Sequence, residues 1–357
     1  MRARRLLVVS ISLLLAASVQ PAADAVSTAA ELALAARANL TACRGDTQCA
    51  DGWWLRPDLW SDLLSPSLRG ACACLESPRS GQGGGATAKR PRLLFMGDST
   101  MRQLYLAFTG RDRKTHVPYG TLWEADANLA ALVGHRSRPP INVSTEFLFK
   151  GKMMHQRSSA SGRREGVSDP DADVHNAYLR RNVERRSERP LPAVLIVGAG
   201  MHELLGWDGR PQPHPSVEVF ASDALEFLDV IAEYPAVVFV SQNAIRPGKA
   251  SIDEALKLRE VSRAMQAAAC IAFKEHPRAG GGGMQTLDFH ALTDGRADCV
   301  GRGGVHYENC DGQVLDAQAR LVARAACLAA CGPPPSEHHT MKQFYARVGD
   351  ALLSSPT

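Results

Sequence analysis

Arg92-Leu93-Leu94-Phe95-Met96-Gly97-Asp98-Ser99-Thr100 is the stretch that decides how this chain folds. An apolar run ends at a glycine and passes straight into a helical pattern over 101–108. A short run that is apolar at every position marks a strand buried on both faces. Ala193-Val194-Leu195-Ile196-Val197 repeats the form and ends at Gly198, and Ala236-Val237-Val238-Phe239-Val240 is a third copy. Gln285-Thr286-Leu287-Asp288-Phe289 is a weaker fourth. Helical patterns over 217–233 and 252–273 lie between these runs. Strands that are apolar throughout and alternate with helices predict an α/β domain of three layers with a mostly parallel sheet. We place that domain at 91–331. Residues 156–190, rich in Arg, Ser and Asp and ending in the charge run 180–189, read as an insertion or surface loop whose charges are solvated.

The rest of the composition agrees with a globular chain. Of 357 residues, 45% are hydrophobic and 22% charged, with a formal net charge of +4. Those proportions exclude a wholly disordered chain, a collagen and a coiled coil. They argue against a nucleic-acid partner, which would call for a strongly basic domain.

Residues 1–25 read as a secretory signal. Arg2, Arg4 and Arg5 precede an apolar run from Leu6 to Val19, and Ala23-Asp24-Ala25 has the small-x-small form of a cleavage site. A stable membrane span needs about 20 apolar residues; this run is either a cleaved signal peptide or an uncleaved anchor of the Golgi type. Both place the chain in the secretory pathway, secreted or in the Golgi/ER lumen. There nine cysteines read as disulfide partners. Cys43/Cys49, Cys299/Cys310 and Cys327/Cys331 are close enough to pair locally, although spacing alone does not settle connectivity. Asn39 and Asn142 head Asn-x-Ser/Thr acceptors for glycosylation. Residues 26–90 form a Cys/Trp-rich segment followed by a Gly-rich linker, and 332–357 form a C-terminal tail. Trp53, Trp54 and Trp60 suit a disulfide-stapled cap, either as packing or as surfaces for sugar rings.

Chemistry concentrates at Gly97-Asp98-Ser99-Thr100. In an open parallel sheet, ligands bind at the carboxyl ends of the strands. A Ser at a helix N-terminus has unpaired backbone N–H groups beside it, which can stabilise an oxyanion. The plainer alternative makes Asp98 or Ser99 an N-cap only. A nucleophilic Ser needs a base, and His306 in Gly303-Gly304-Val305-His306-Tyr307 is the best placed. It follows the last strand and sits between Cys299 and Cys310, whose bridge would hold its loop.

Gly97-Asp98-Ser99-Thr100-Met101-Arg102 resembles the first block of the SGNH/GDSL hydrolase superfamily, in the form found in its PC-esterase branch. That branch includes the trichome-birefringence-like polysaccharide O-acetyltransferases and the sialic-acid O-acetyltransferase. Gly304-Val305-His306-Tyr307 resembles the branch's terminal block, and Ala199-Gly200-Met201-His202-Glu203-Leu204 a middle block. Asp51-Gly52-x-Trp54 and Cys72 resemble the cysteine-bearing segment upstream. The resemblance implies an SGNH-like fold, Ser99 as nucleophile and His306 as general base. It also implies Ser99 N–H and Gly200 N–H as oxyanion donors, with Arg102 bracing the turn. Two positions depart from the pattern. Gly303 stands where the family has an acid, which leaves Asp298 or Asp294 to orient the histidine. The middle block lacks the usual Asn, and His202 is either a substitute donor or a buried structural residue.

The function implied is a serine esterase or O-acyltransferase acting on an acylated carbohydrate, with an acyl donor if it is a transferase and with no cofactor. The competing reading is a catalytically weak or inactive relative that binds a glycan or a protein, for which Gly303 is the motive. A metal site built from His202, Glu203, His290 and His306 has no ligand spacing behind it.

Overall fold

Side chains along a strand alternate between the two faces of a sheet, and the central strands use that alternation to feed two cores. In β1 (Arg92–Gly97), Leu93 and Phe95 enter one core while Leu94 and Met96 enter the other. In β4 (Val194–Val197), Val194 and Ile196 divide from Leu195 and Val197 in the same way. In β5 (Val237–Val240), Val238 and Val240 divide from Val237 and Phe239. The continuous apolar runs of the sequence are thus two alternating patterns superposed.

The computed structural model describes residues 90–331, apart from 113, 116–121, 133–140, 153–169, 206–209, 213–214, 247–251, 276–282, 295–298 and 302–303, together with Cys72 and Leu75. The signal segment, Asn39, the Trp-rich stretch, the linker, the C-terminal tail, Asp298 and Gly303 lie outside the described residues.

Six strands form one sheet in the order β2-β3-β1-β4-β5-β6, with β2 (Trp123–Asn128), β3 (Asn142–Phe149) and β6 (Met284–Leu287) completing the set. Every pairing is parallel except β2 with β3. One face is covered by α1 (Ser99–Phe108) and α8 (Gln313–Cys331). The other is covered by α5 (Val217–Val230) and α6 (Ile252–Glu275). Shorter helices are α2 (Leu129–Leu132), α4 (Met201–Leu204) and α7 (Phe289–Asp294). The molecule is therefore an α/β protein with a mostly parallel sheet between helical layers, as the sequence pattern predicts. No helix among the described residues is long and apolar enough to cross a membrane.

The structure corrects the sequence reading at several points. Residues 156–190 do not form only a surface loop, because α3 (Pro170–Glu184) lies within them. Its charged composition conceals an inward face on which His175, Asn176 and Leu179 are buried while Arg180 and Arg181 are exposed. Part of the charge run is paired: Arg189 meets the buried carboxylate of Glu146 at 2.7 Å, and Arg186 pairs with Glu233. Arg92 adds a second contact to Glu146, at 3.2 Å. The strand β3 and the edge strand β2 escape the sequence pattern because polar residues interrupt them. Asn142 is the exposed first residue of β3, and Glu124 and Asp126 of β2 point outward. Cys327 does not pair with Cys331. It faces inward from α8, fully buried, and bonds to Cys72, 255 residues away. Cys72 and Leu75 thereby join the core on the face of the sheet that α1 and α8 cover.

Phe239 is fully buried and stacks on Phe273 of α6 at 4.2 Å between ring centroids. Phe239→Ala is expected to cost about 3–5 kcal/mol through lost burial and a cavity. Urea denaturation of the disulfide-intact protein checks this, the midpoint falling while the slope stays constant.

Candidate active site

The parallel strands end on one edge, and the residues that follow β1, β4 and β5 meet there. At the end of β1 the backbone has no room for a side chain. A Cβ on Gly97 would lie 2.3 Å from Met101 Cγ and 2.5 Å from the Gly198 carbonyl oxygen. Asp98 then caps the helix, its Oδ1 accepting from the Thr100 N–H at 2.8 Å and from the Thr100 hydroxyl at 2.6 Å. The cap is Asp98 alone. Ser99 is left as the first helical residue, with its hydroxyl available for other contacts.

That hydroxyl lies 2.8 Å from His306 Nε2, across 207 positions of sequence. Its other neighbour is Met201 Sδ, at 3.8 Å. The histidine sits on a loop closed at several points. Cys299 and Cys310 are bonded, with Cα atoms 5.1 Å apart. Gly301 N–H donates to the His306 carbonyl at 2.7 Å, and Asn309 N–H donates to the Cys299 carbonyl at 3.1 Å. Tyr307 is fully buried, its hydroxyl 3.0 Å from the carbonyls of both Ala244 and Thr293. Tyr307 is seated inward, while His306 is half-buried and Glu308 exposed, and the side chains of those two lie side by side.

Glu308 is the residue the sequence reading missed. Its Oε1 lies 3.5 Å from His306 Nδ1 and accepts from Gln103 Nε2 of α1 at 2.7 Å. At 3.5 Å this is an ion-pair contact, longer than a hydrogen bond; the carboxylate charge favours the proton on Nδ1, the tautomer in which Nε2 accepts from the serine. The signal was present in His306-Tyr307-Glu308: in extended chain, positions two apart share a side. Asp298 lies outside the described residues, as does the side chain of Asp294.

Burial lowers the His306 pKa below its ordinary value. Glu308 and Asp98 pull it upward, and the Arg102 guanidinium opposes them. The ring is therefore held neutral near pH 7. The Arg102 backbone N–H donates to the Asp98 carbonyl at 3.0 Å, while the Nε of its guanidinium is buried without a partner. Gly200 follows β4 with φ of 134°, a region closed to other residues. His202 is buried beside Phe149, ring centroids 6.5 Å apart. Met201, not His202, is the residue of α4 that reaches Ser99. Among the described residues, no three His, Cys, Asp or Glu side chains gather as metal ligands.

A serine hydroxyl bonded to a neutral imidazole, with a carboxylate on the far ring nitrogen, can form and break acyl esters. The chain matches no protein-family model, and no curated protein sequence matches it. Among solved structures it is similar to LAE5, an α/β hydrolase enzyme from the metagenome of Lake Arreo, Spain. The identity is 14% and the TM-score 0.33, over 69% of this chain and 99% of that one.

The His306 resonances should titrate below pH 6.5 by NMR, and Glu308→Gln should move the midpoint lower still, since it removes an anion that favours the charged ring. The sign for stability follows from linkage. The unfolded chain takes up a proton at this site near pH 6.5 while the native state does not. This histidine therefore withdraws stability as pH falls through 6.5 toward the native midpoint.

Proposed function

We propose that the chain is a serine-dependent acyl-ester hydrolase or O-acyltransferase of the SGNH type, PC-esterase branch, acting on an acylated carbohydrate in the secretory pathway. The observation that carries this reading is the 2.8 Å contact between Ser99 Oγ and His306 Nε2. Residues 91–331 are the catalytic domain in this reading.

In the first half-reaction, Ser99 Oγ attacks the acyl carbonyl as its proton passes to His306 Nε2. The Ser99 and Gly200 N–H groups take the developing oxyanion. Collapse breaks the bond to the sugar oxygen, which leaves with the proton from the imidazolium. In the second half, His306 deprotonates water or an acceptor hydroxyl, which attacks the acyl-Ser99 ester and restores the serine. Glu308 favours the Nδ1–H tautomer and offsets the imidazolium charge in both halves. The inactive reading rested on Gly303, and the Glu308 carboxylate supplies from the other side of His306 what that position lacks. The block resemblance supports a carbohydrate as acyl carrier. The N-terminal signal pattern and the Cys72–Cys327 and Cys299–Cys310 bonds support an oxidising compartment.

A fluorophosphonate should label the purified protein at Ser99, and the protein should hydrolyse an aryl acetate. Both should vanish in Ser99→Ala. His306→Ala should remove the same hydrolysis, and the double variant should lose no more, because the pair acts as one unit. Glu308→Gln should lower kcat about 10²-fold, the low end for acid–base assistance, since its side chain is half exposed. Failure of both labelling and turnover in the intact protein would sink the reading. Offering an acetylated donor with water alone, then with a sugar acceptor, separates esterase from transferase by where the acyl group ends.

Reduction supplies a further check. Opening Cys299–Cys310 frees the His306 loop, so mild reductant should lower aryl acetate turnover before near-UV circular dichroism reports loss of the fold.

A further inference from the structure

Gln266 lies on α6 with no exposed surface. Its Oε1 accepts from the Gln242 backbone N–H at 2.9 Å, in the loop after β5. A backbone N–H only donates, so the opposite end of the carboxamide is its NH2 group. That Nε2 donates to the Ala199 carbonyl at 3.4 Å, in the loop after β4. It also fills the place of a missing side chain: a Cβ on Gly200 would lie 2.2 Å from it. One buried amide thus joins two loops at the carboxyl edge, and the positive φ of Gly200 fits it.

The Ala199 carbonyl and the Gly200 N–H are opposite ends of one planar trans peptide. Whatever fixes the carbonyl fixes the N–H, pointing the other way. Donation to that carbonyl also polarises the amide and makes its N–H a better donor. The Gly200 N–H donates to no group among the described residues. The next residue, Met201, already touches the Ser99 hydroxyl. We propose that Gln266 is a positioning residue: it turns the Ala199–Gly200 peptide so that the Gly200 N–H faces the acyl oxygen held at Ser99. The proposal deepens the hydrolase reading and rests on it. It also explains how a middle block without the usual Asn keeps a fixed oxyanion donor.

The rival is a plain strut between β4 and β5, and kinetics separate the two. The full chain, with Gln266→Leu and Gln266→Glu, is assayed with p-nitrophenyl acetate, kcat being counted per fluorophosphonate-titrated Ser99. Losing one oxyanion donor costs roughly 10²–10³-fold, so misaiming one should lower kcat roughly 10- to 100-fold in Gln266→Leu, with KM little changed. Affinity for phenylboronic acid, whose boron bonds to Ser99 Oγ and turns tetrahedral, should fall by the same factor. Gln266→Glu keeps the shape but donates only when protonated. Its kcat relative to the unmodified protein should therefore climb as pH falls. The Gly200 amide NMR signal should move in both variants, with no substrate present.

Folded variants that keep kcat and boronate affinity within twofold would reduce Gln266 to a strut. If Gln266→Leu fails to fold, the Gln266→Glu ratio decides, and a ratio flat with pH overturns the proposal. If the unmodified protein neither labels nor turns over, the hydrolase reading falls and this proposal with it. An active unmodified protein with indifferent variants overturns this proposal alone.

Discussion

Burial of both faces of β1, β4 and β5 is the constraint from which the remaining structure follows. A parallel strand cannot return by a tight turn, so each crossover must travel the length of the sheet, and a helix is the economical way to do it. The helices then cover the faces that the strands present. Because the strands run the same way, their carboxyl ends share an edge. Residues remote in sequence become neighbours on that edge. Ser99 follows β1, Gly200 follows β4 and Gln242 follows β5, and these strands are adjacent in the sheet.

Close packing decides the glycines on this edge. Gly97 is pressed between Met101 and the Gly198 carbonyl, and Gly200 against the Gln266 amide. Neither position has space for a methyl group. The first lets β1 pass into α1 within one residue, so that Asp98 caps the helix and Ser99 keeps its hydroxyl for His306. The second lets a buried amide reach the backbone of the loop after β4.

The histidine loop solves a different problem. Among its described residues there is little regular structure, so its rigidity comes from cross-links: a disulfide, several backbone hydrogen bonds (one of them from the Arg246 N–H to the Gly304 carbonyl) and the buried Tyr307 ring. These hold a partly buried imidazole at hydrogen-bonding distance from the serine. Desolvation keeps that imidazole neutral, and Glu308 at its edge limits how far its pKa falls. Gln103 ties the same carboxylate to α1, the helix that begins at Ser99. Nucleophile, base and carboxylate are thereby referred to one rigid element.

Local pattern was enough to read the strands β1, β4 and β5, the weaker β6 apart from its end, the helices α1, α5 and α6 and the mostly parallel sheet, because apolar period and glycine punctuation are local properties. It also singled out Ser99 and His306, through short motifs at strand ends. It did not reveal α3, whose inward face is hidden among charges, nor β2 and β3, where polar residues break the run. Glu146 inside β3 is tolerated because Arg92 and Arg189 reach it from distant segments. Pairing is decided only in three dimensions. Cys327 has a nearer candidate in Cys331 but faces Cys72 across the core. The carboxylate beside His306 comes from Glu308, whose side chain lies beside the imidazole while Tyr307 between them is seated inward. Local chemistry writes the elements and the reactive side chains; which of them touch depends on packing between segments up to 255 residues apart, and no local pattern encodes that.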